Sequence, residues 1–300
     1  MTPDPVVTPE PVGFVGLGVM GSAMSGHLLA AGFPVLGFDV DAGRRAQHEA
    51  RGGSVCASPA EVAAATDVVV TSLPSAAALL AVVDGEQGLA AGARPGLVVV
   101  ETSTLSPETK EEGRRRAAAF GATLLDCPMS GTGQQARDGD LIAYLSGDPE
   151  AKERALPVLV AFTRAQHDLG AFGQGTTMKL VANLLVAVHN VAAAEALLLA
   201  QRAGLDLDTV LAAVGDGAGG SRMLQVRGPL MAAGRFDEPT ATVATMLKDN
   251  ALIAGFAASV ASPTPLFAAS AVLYHAAVAQ GRLGEDTACV YGVLQRLAGQ

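Results

Sequence analysis

Tryptophan is absent from the 300 residues, and all aromatics together make up 4% of the chain. Stacking platforms for single-stranded nucleic acid need aromatic rings, so that class is excluded. Cysteine is scarce: Cys56, Cys127 and Cys289 are widely spaced and form neither a CxxC pair nor a disulfide framework, which fits a reducing compartment. Charge is sparse at 16% and acidic in balance, with 20 Lys+Arg against 29 Asp+Glu and a net charge of −9. Phosphate neutralisation needs clustered cations, so nucleic acid is not an expected partner. Lysine occurs only as Lys110, Lys152, Lys179 and Lys248, against sixteen arginines. The five histidines lack metal-ligand spacing, and no metal is expected. Residues 1–5 carry no basic region ahead of an apolar core, so they do not read as a secretory signal. Asn250 to His275 has no charge, but Pro263 and Pro265 break it, which predicts two buried helices joined at the prolines and no membrane span. A cytoplasmic protein is expected.

Half of the residues are hydrophobic, enough for large aliphatic cores, and the length suggests two domains. The first half alternates short apolar runs with Ala-rich helical stretches, the pattern of an α/β fold with a parallel sheet. Val12–Val15, Val35–Phe38, Asp67–Ser72, Leu97–Glu101 and Thr123–Asp126 read as its strands. Leu141–Ser146 and a weaker run near Gln166–Leu169 are expected to extend that sheet at its far edge. From Thr176 to Ala203 there is neither Gly nor Pro, and Gly204 closes the run as a C-terminal cap. The expected plan is a tail over residues 1–11, an α/β domain of Rossmann type over 12–175, a connecting helix over 176–204, and an all-α domain over 205–300.

Gly16-Leu17-Gly18-Val19-Met20-Gly21 is a GxGxxG run that follows an apolar strand and opens a helix, and Asp39 ends the next strand. In that context the glycines permit a tight turn and close backbone approach, and the helix N-terminus offers unpaired N–H groups to a pyrophosphate. Asp39 is placed to accept from both ribose hydroxyls and to repel a ribose phosphate, which favours NAD over NADP. Arg44 and Arg45, a few residues on, keep NADP open. Asp41 reads as a helix cap.

The GxGxxG block, written from its strand as Phe14-Val15-Gly16-Leu17-Gly18-Val19-Met20-Gly21, resembles the opening signature of the β-hydroxyacid dehydrogenases. That family lies within the 6-phosphogluconate dehydrogenase superfamily and includes 3-hydroxyisobutyrate dehydrogenases and tartronate semialdehyde reductases. Asp126-Cys127-Pro128-Met129-Ser130-Gly131 is similar to its DxPxSG substrate segment. Gly173-Gln174-Gly175-Thr176-Thr177-Met178-Lys179 with Asn183 is similar to its GxGxxxKxxxN segment, and Lys248-Asp249 to its C-terminal Lys-Asp pair. The resemblance covers roughly residues 12 to 298 and implies hydride transfer between NAD(P) and a small 3-hydroxy acid or its semialdehyde. It further implies Lys179 as acid/base and Asn183 as its orienter, with Ser130 and the N–H groups of Gly131 and Thr132 on the substrate carboxylate. Leu73, Pro74, Ser103 and Thr104 fall at nicotinamide-ribose positions, Lys248 reaches the cofactor, and Asp249 supports it.

The residues bear on this independently. Where Arg is the habitual cation, a Lys inside an apolar helix suits a group that must titrate near neutral pH. A lysine snorkelling from a helix start is the plainer alternative. Asn183, and Asn190 near the same azimuth, make a polar stripe whose partners a substrate-filled cleft is expected to supply. Two departures bear on substrate: Thr132 stands where the family commonly has Gly, and Ala241 where many members have Phe. They keep open a reductase of imines or bulky carbonyls on the same scaffold; a non-catalytic cofactor-binding module is the third reading. Arg222 and Arg227, in a Gly-rich approach to the C-terminal helices, read as surface charge before a contact to a second anionic group. The apolar C-terminal helices suggest a homodimer or larger homo-oligomer.

Overall fold

The computed structural model describes residues 9–299; most of the expected N-terminal tail lies outside the described residues. The chain divides between Lys179 and Leu180 into two compact units. In the first unit the order is β1 (Val12–Val15), α1 (Val19–Ala30), β2 (Val35–Phe38), α2 (Ala42–Ala50), β3 (Ser54–Val55), α3 (Pro59–Ala65), β4 (Val68–Thr71), α4 (Ala76–Asp84), β5 (Val98–Glu101), α5 (Pro107–Ala119) and β6 (Thr123–Asp126). Strands β1 to β6 form one parallel sheet in the order β3-β2-β1-β4-β5-β6. Successive strand residues point to opposite faces. Val98 and Val100 therefore join one apolar cluster, with Phe14 and Leu28, and Val99 joins the other, with Val69 and Leu79. A sheet covered on both faces needs continuous valine runs, which is what β4 and β5 contain.

The chain continues through β7 (Met129–Ser130), α6 (Gly133–Arg137), β8 (Leu141–Leu145), α7 (Pro149–Val160) and β9 (Thr163–Asp168). Here the expectation of a longer sheet fails: β7, β8 and β9 form a separate three-stranded sheet, with β7 antiparallel to β8. The β6–β7 connection passes through Pro128, which has no N–H to offer a ladder, and the chain turns away from β6. A lone antiparallel bridge between Asp126 and Ser146 joins β6 to the end of β8.

Helix α8 (Gln174–Arg202) runs 29 residues through the division between the units. Gly204, at φ +80°, follows it with its N–H on the Gln201 carbonyl. By length and composition α8 is able to cross a membrane, but 44% of its most apolar stretch is buried inside the protein. The second unit adds α9 (Leu207–Asp216), α10 (Arg222–Ala233), α11 (Val243–Ser259), α12 (Pro265–Ala279) and α13 (Val290–Leu297) around a core that includes Leu197, Met231, Ile253 and Tyr274. Pro263 and Pro265 separate α11 from α12 as expected, but neither helix is buried all round: Leu266 and Val272 of α12 are mostly exposed.

Candidate cofactor and catalytic site

Gly16 closes β1 at φ +94°, and a Cβ there would meet the Ser72 carbonyl; a Cβ on Gly21 would meet the carbonyl of Gly16. Both positions therefore require glycine to let α1 pack on the β1 and β4 ends. Gly18 is different: a Cβ there would find no atom nearer than an Arg44 nitrogen at 3.7 Å, and α1 has no side-chain cap. α1 thus starts beside open space, its first N–H groups without a side-chain cap at a positive helix end, a fit for a pyrophosphate. A cavity of about 440 Å³ lies beside this turn, lined among others by Leu17, Gly18, Ser22, Asp41, Arg44 and Arg51.

Asp39 follows β2 and is buried. One oxygen accepts the Leu17 N–H at 2.7 Å and the other the Asp41 N–H at 2.9 Å; Arg44 approaches to 3.4 Å. Arg45 donates to the Asp39 carbonyl. Asp41 caps α2 through the Arg44 N–H, which holds its carboxyl below the usual range. Leu73 donates its N–H to the Ser103 hydroxyl at 2.8 Å, so two of the expected ribose-side loops are joined. Pro74 and Thr104 lie on those same loops, past the ends of β4 and β5.

Ser130 ends β7, and Gly131 follows at φ +144°, where a Cβ would come within 2.6 Å of Leu141. Thr132 caps α6: its hydroxyl accepts the Gln135 N–H, and its own N–H donates to Gln135 Oε1 at 3.0 Å. That N–H, expected on a substrate carboxylate, already has a partner within the chain. Cys127 is wholly buried, and burial pushes its thiol well above the usual range.

Lys179 lies buried in the second turn of α8. In the second unit, Asn183 donates to Asp249 at 2.9 Å, and Lys248 lies 3.0 Å from the other Asp249 oxygen. Asp249 is thus shared between α8 and its neighbour on α11. Asn190 departs from expectation: its amide donates to the Tyr274 hydroxyl and the Thr287 carbonyl, so the protein supplies its partners. Arg227, read as surface charge, is 1% exposed; it donates to Thr287 at 2.7 Å and lies 3.7 Å from Asp286.

A charged cluster that the motifs did not announce lies in the first unit. Glu101 and Asp126 pair in register at the ends of β5 and β6, and Lys110 of α5 reaches both, at 2.6 and 2.8 Å. All three side chains are wholly enclosed. Burial works against the ammonium, but Glu101 and Asp126 outweigh it and hold the Lys110 pKa above the usual lysine range. Asp126 also accepts the Thr176 N–H and hydroxyl, both at 2.7 Å. The rarity of lysine was the one hint in the sequence; which lysine is enclosed depends on contacts between elements.

Comparison with known proteins bears on the whole chain. Residues 11–173 match the family model described as the NAD binding domain of 6-phosphogluconate dehydrogenase, and residues 173–294 that described as NAD-binding of NADP-dependent 3-hydroxyisobutyrate dehydrogenase. An L-threonate dehydrogenase of Cupriavidus necator is 36% identical over 280 residues, 93% of this chain and 94% of that protein. Among solved structures, a 3-hydroxyisobutyrate dehydrogenase from Salmonella typhimurium superposes with a TM-score of 0.85 at 32% identity, over 95% of this chain and all of that one. A protein called Psf3, solved with NADP+ and 2-OPP, gives the same score at 25% identity over 94% of this chain and 99% of its own. The chain belongs to the β-hydroxyacid dehydrogenase family and is an NAD(P)-dependent oxidoreductase of hydroxy acids.

Proposed function

We propose that Lys179 is the general acid/base of this oxidoreduction. The observation that carries the reading is a buried lysine on an apolar helix with Asn183 four residues on, itself held by Asp249. In the oxidative direction the neutral Lys179 amine takes the proton of the substrate hydroxyl; in reverse its ammonium returns a proton to the alkoxide oxygen. Bound NAD(P) supplies the hydride acceptor for the same carbon. Asn183 orients the hydroxyl, and the Ser130 hydroxyl with the Gly131 N–H holds a carboxylate. With Thr132 committed to Gln135, that cradle is narrower than the three-donor version. Gly16, Leu17, Gly18, Val19, Met20 and Gly21 bind the pyrophosphate, Asp39 the adenosine ribose, and Leu73, Pro74, Ser103, Thr104 and Lys248 the nicotinamide side.

The preferred cofactor is NAD, because a carboxylate such as Asp39 at the end of β2 would repel a ribose phosphate. The substrate is a small hydroxy acid, and the protein works as a cytoplasmic homodimer. A reductase of neutral imines needs neither Lys179 nor Ser130 in these roles, which sets that reading second.

The test follows nicotinamide absorbance with L-threonate, 3-hydroxyisobutyrate and 2-(hydroxymethyl)glutarate, using NAD and NADP. In Lys179→Ala, kcat is expected to fall by about 10²–10⁴, the size of a general-base contribution, with NADH binding retained. Turnover that survives the substitution would remove Lys179 from the mechanism.

A further inference from the structure

The first N–H groups of a helix have no partner within it, and a 29-residue helix that carries a reacting group near its start needs that start fixed. The first turn of α8 is capped from the two sheets. The Gly175 N–H donates to the Ser146 hydroxyl at 3.0 Å, and the Thr176 N–H and hydroxyl both donate to Asp126. A carboxylate at this end also opposes the positive helix terminus. Gly175 has no Cβ because one would meet the Tyr144 carbonyl and lie 2.8 Å from that of Asp126, so the backbone of α8 is seated directly on β6 and β8. Lys179 follows Thr176 by three residues.

Asp126 is in turn held by Lys110, and the same ammonium holds Glu101. The other Glu101 oxygen accepts the Ser103 N–H at 3.0 Å, and the Ser103 hydroxyl accepts the Leu73 N–H. Two carboxylates side by side at neighbouring strand ends would repel; one enclosed cation removes the repulsion and fixes both. An unbroken chain of polar contacts therefore runs Leu73–Ser103–Glu101–Lys110–Asp126–Thr176, from the loops past β4 and β5 to the first turn of α8.

We propose that Glu101, Lys110, Asp126 and Thr176 are positioning residues for Lys179: the enclosed Glu101–Lys110–Asp126 cluster is the anchor that gives the cofactor loops and the first turn of α8 a common reference. The inference rests on the reading of Lys179 as acid/base. None of the four touches substrate; they act by holding backbone.

Thr176→Val keeps the side-chain shape and the backbone N–H while deleting the hydroxyl donor, and Thr176→Ser restores the donor. Both are made in the full chain and compared with wild type by amide hydrogen exchange without cofactor, by NADH fluorescence titration, and by turnover with whichever of the three hydroxy acids is oxidised fastest. In Thr176→Val, exchange at residues 176–180 is expected to rise about tenfold with the rest of the chain unchanged. Its kcat should fall about tenfold with KM and NADH affinity within about twofold, since misplacing a reacting group slows chemistry more than binding. Thr176→Ser should return each value to within about twofold of wild type. Lys110→Met, where it folds, should loosen the same amides; where it does not, the Thr176 pair decides. Unchanged exchange in Thr176→Val overturns the proposal. So does a loss matched in Thr176→Ser, or one spread equally over kcat, NADH affinity and thermal midpoint. Full turnover in Lys179→Ala would instead overturn the acid/base reading, while the exchange comparison would still judge the anchor.

Discussion

Asp39 divides its two oxygens between the N–H groups of Leu17 and Asp41, with Arg44 alongside, so its carboxylate is fixed before any ribose arrives. A preset carboxylate cannot swing away from an incoming phosphate. Replacing it removes a like-charge repulsion of about 1.4–2.8 kcal/mol, or about ten- to hundredfold in relative affinity. Asp39→Ser is therefore expected to raise the preference for NADPH over NADH by that factor, with Arg44 and Arg45 left at the site to receive the phosphate. Paired fluorescence titrations of the two reduced cofactors measure it, and an unchanged ratio would assign the selectivity elsewhere. The tight turn at Gly16–Gly21 and the place of Asp39 after β2 were legible because they are local: a turn, a helix start and a strand end separated by fixed numbers of residues. Lys110 and Arg227 were not, because each becomes buried only when distant elements close around it. A count of lysines hints at a special one without saying which, and a Gly-rich approach does not show that Arg227 is enclosed.

Among elements, α10 shows what an enclosed charge requires. Arg227 lies against Asp286, whose carboxylate also accepts the N–H groups of Ala288 and Thr240 and the Thr240 hydroxyl. Burial raises the Asp286 pKa, but Arg227 and these donors outweigh it, and the net shift is downward. A depressed carboxyl stabilises the fold above its unfolded value, about 3.9, and that contribution is lost as pH falls through the folded value. Arg227→Met leaves the carboxylate without its cation and is expected to cost about 3 kcal/mol at pH 7. The difference from wild type should narrow below about pH 4, as the pH falls toward the depressed folded value at which Asp286 takes up a proton. Urea unfolding at both pH values checks this, and a pH-independent difference would mean that packing alone was lost. Strands β1, β2, β4, β5 and β6 of the main sheet could be read because short apolar runs bounded by turn residues leave few alternatives. The second sheet was misassigned because periodicity identifies a strand without naming its neighbour, and β3 and β7, at two residues each, leave no period to read.

At the scale of the whole molecule, exposed apolar side chains bear on the proposed dimer. Leu199 of α8, Leu266 and Val272 of α12 and Leu297 of α13 are each more than 60% exposed. A dimer that covers these side chains would remove apolar surface from water. Light scattering at micromolar concentration is expected to give twice the mass of the 300-residue chain; a monomer would withdraw the dimer. The four lysine amines have a separate consequence for handling the protein. Lys110 is sealed, Lys152 and Lys179 are nearly so, and only the Lys248 side chain is substantially exposed. Among the described lysines, amine-directed crosslinkers and immobilisation resins therefore meet Lys248 first, beside the Asp249 that holds Asn183. Tethering through carboxyl groups or an added terminal tag keeps that neighbourhood clear.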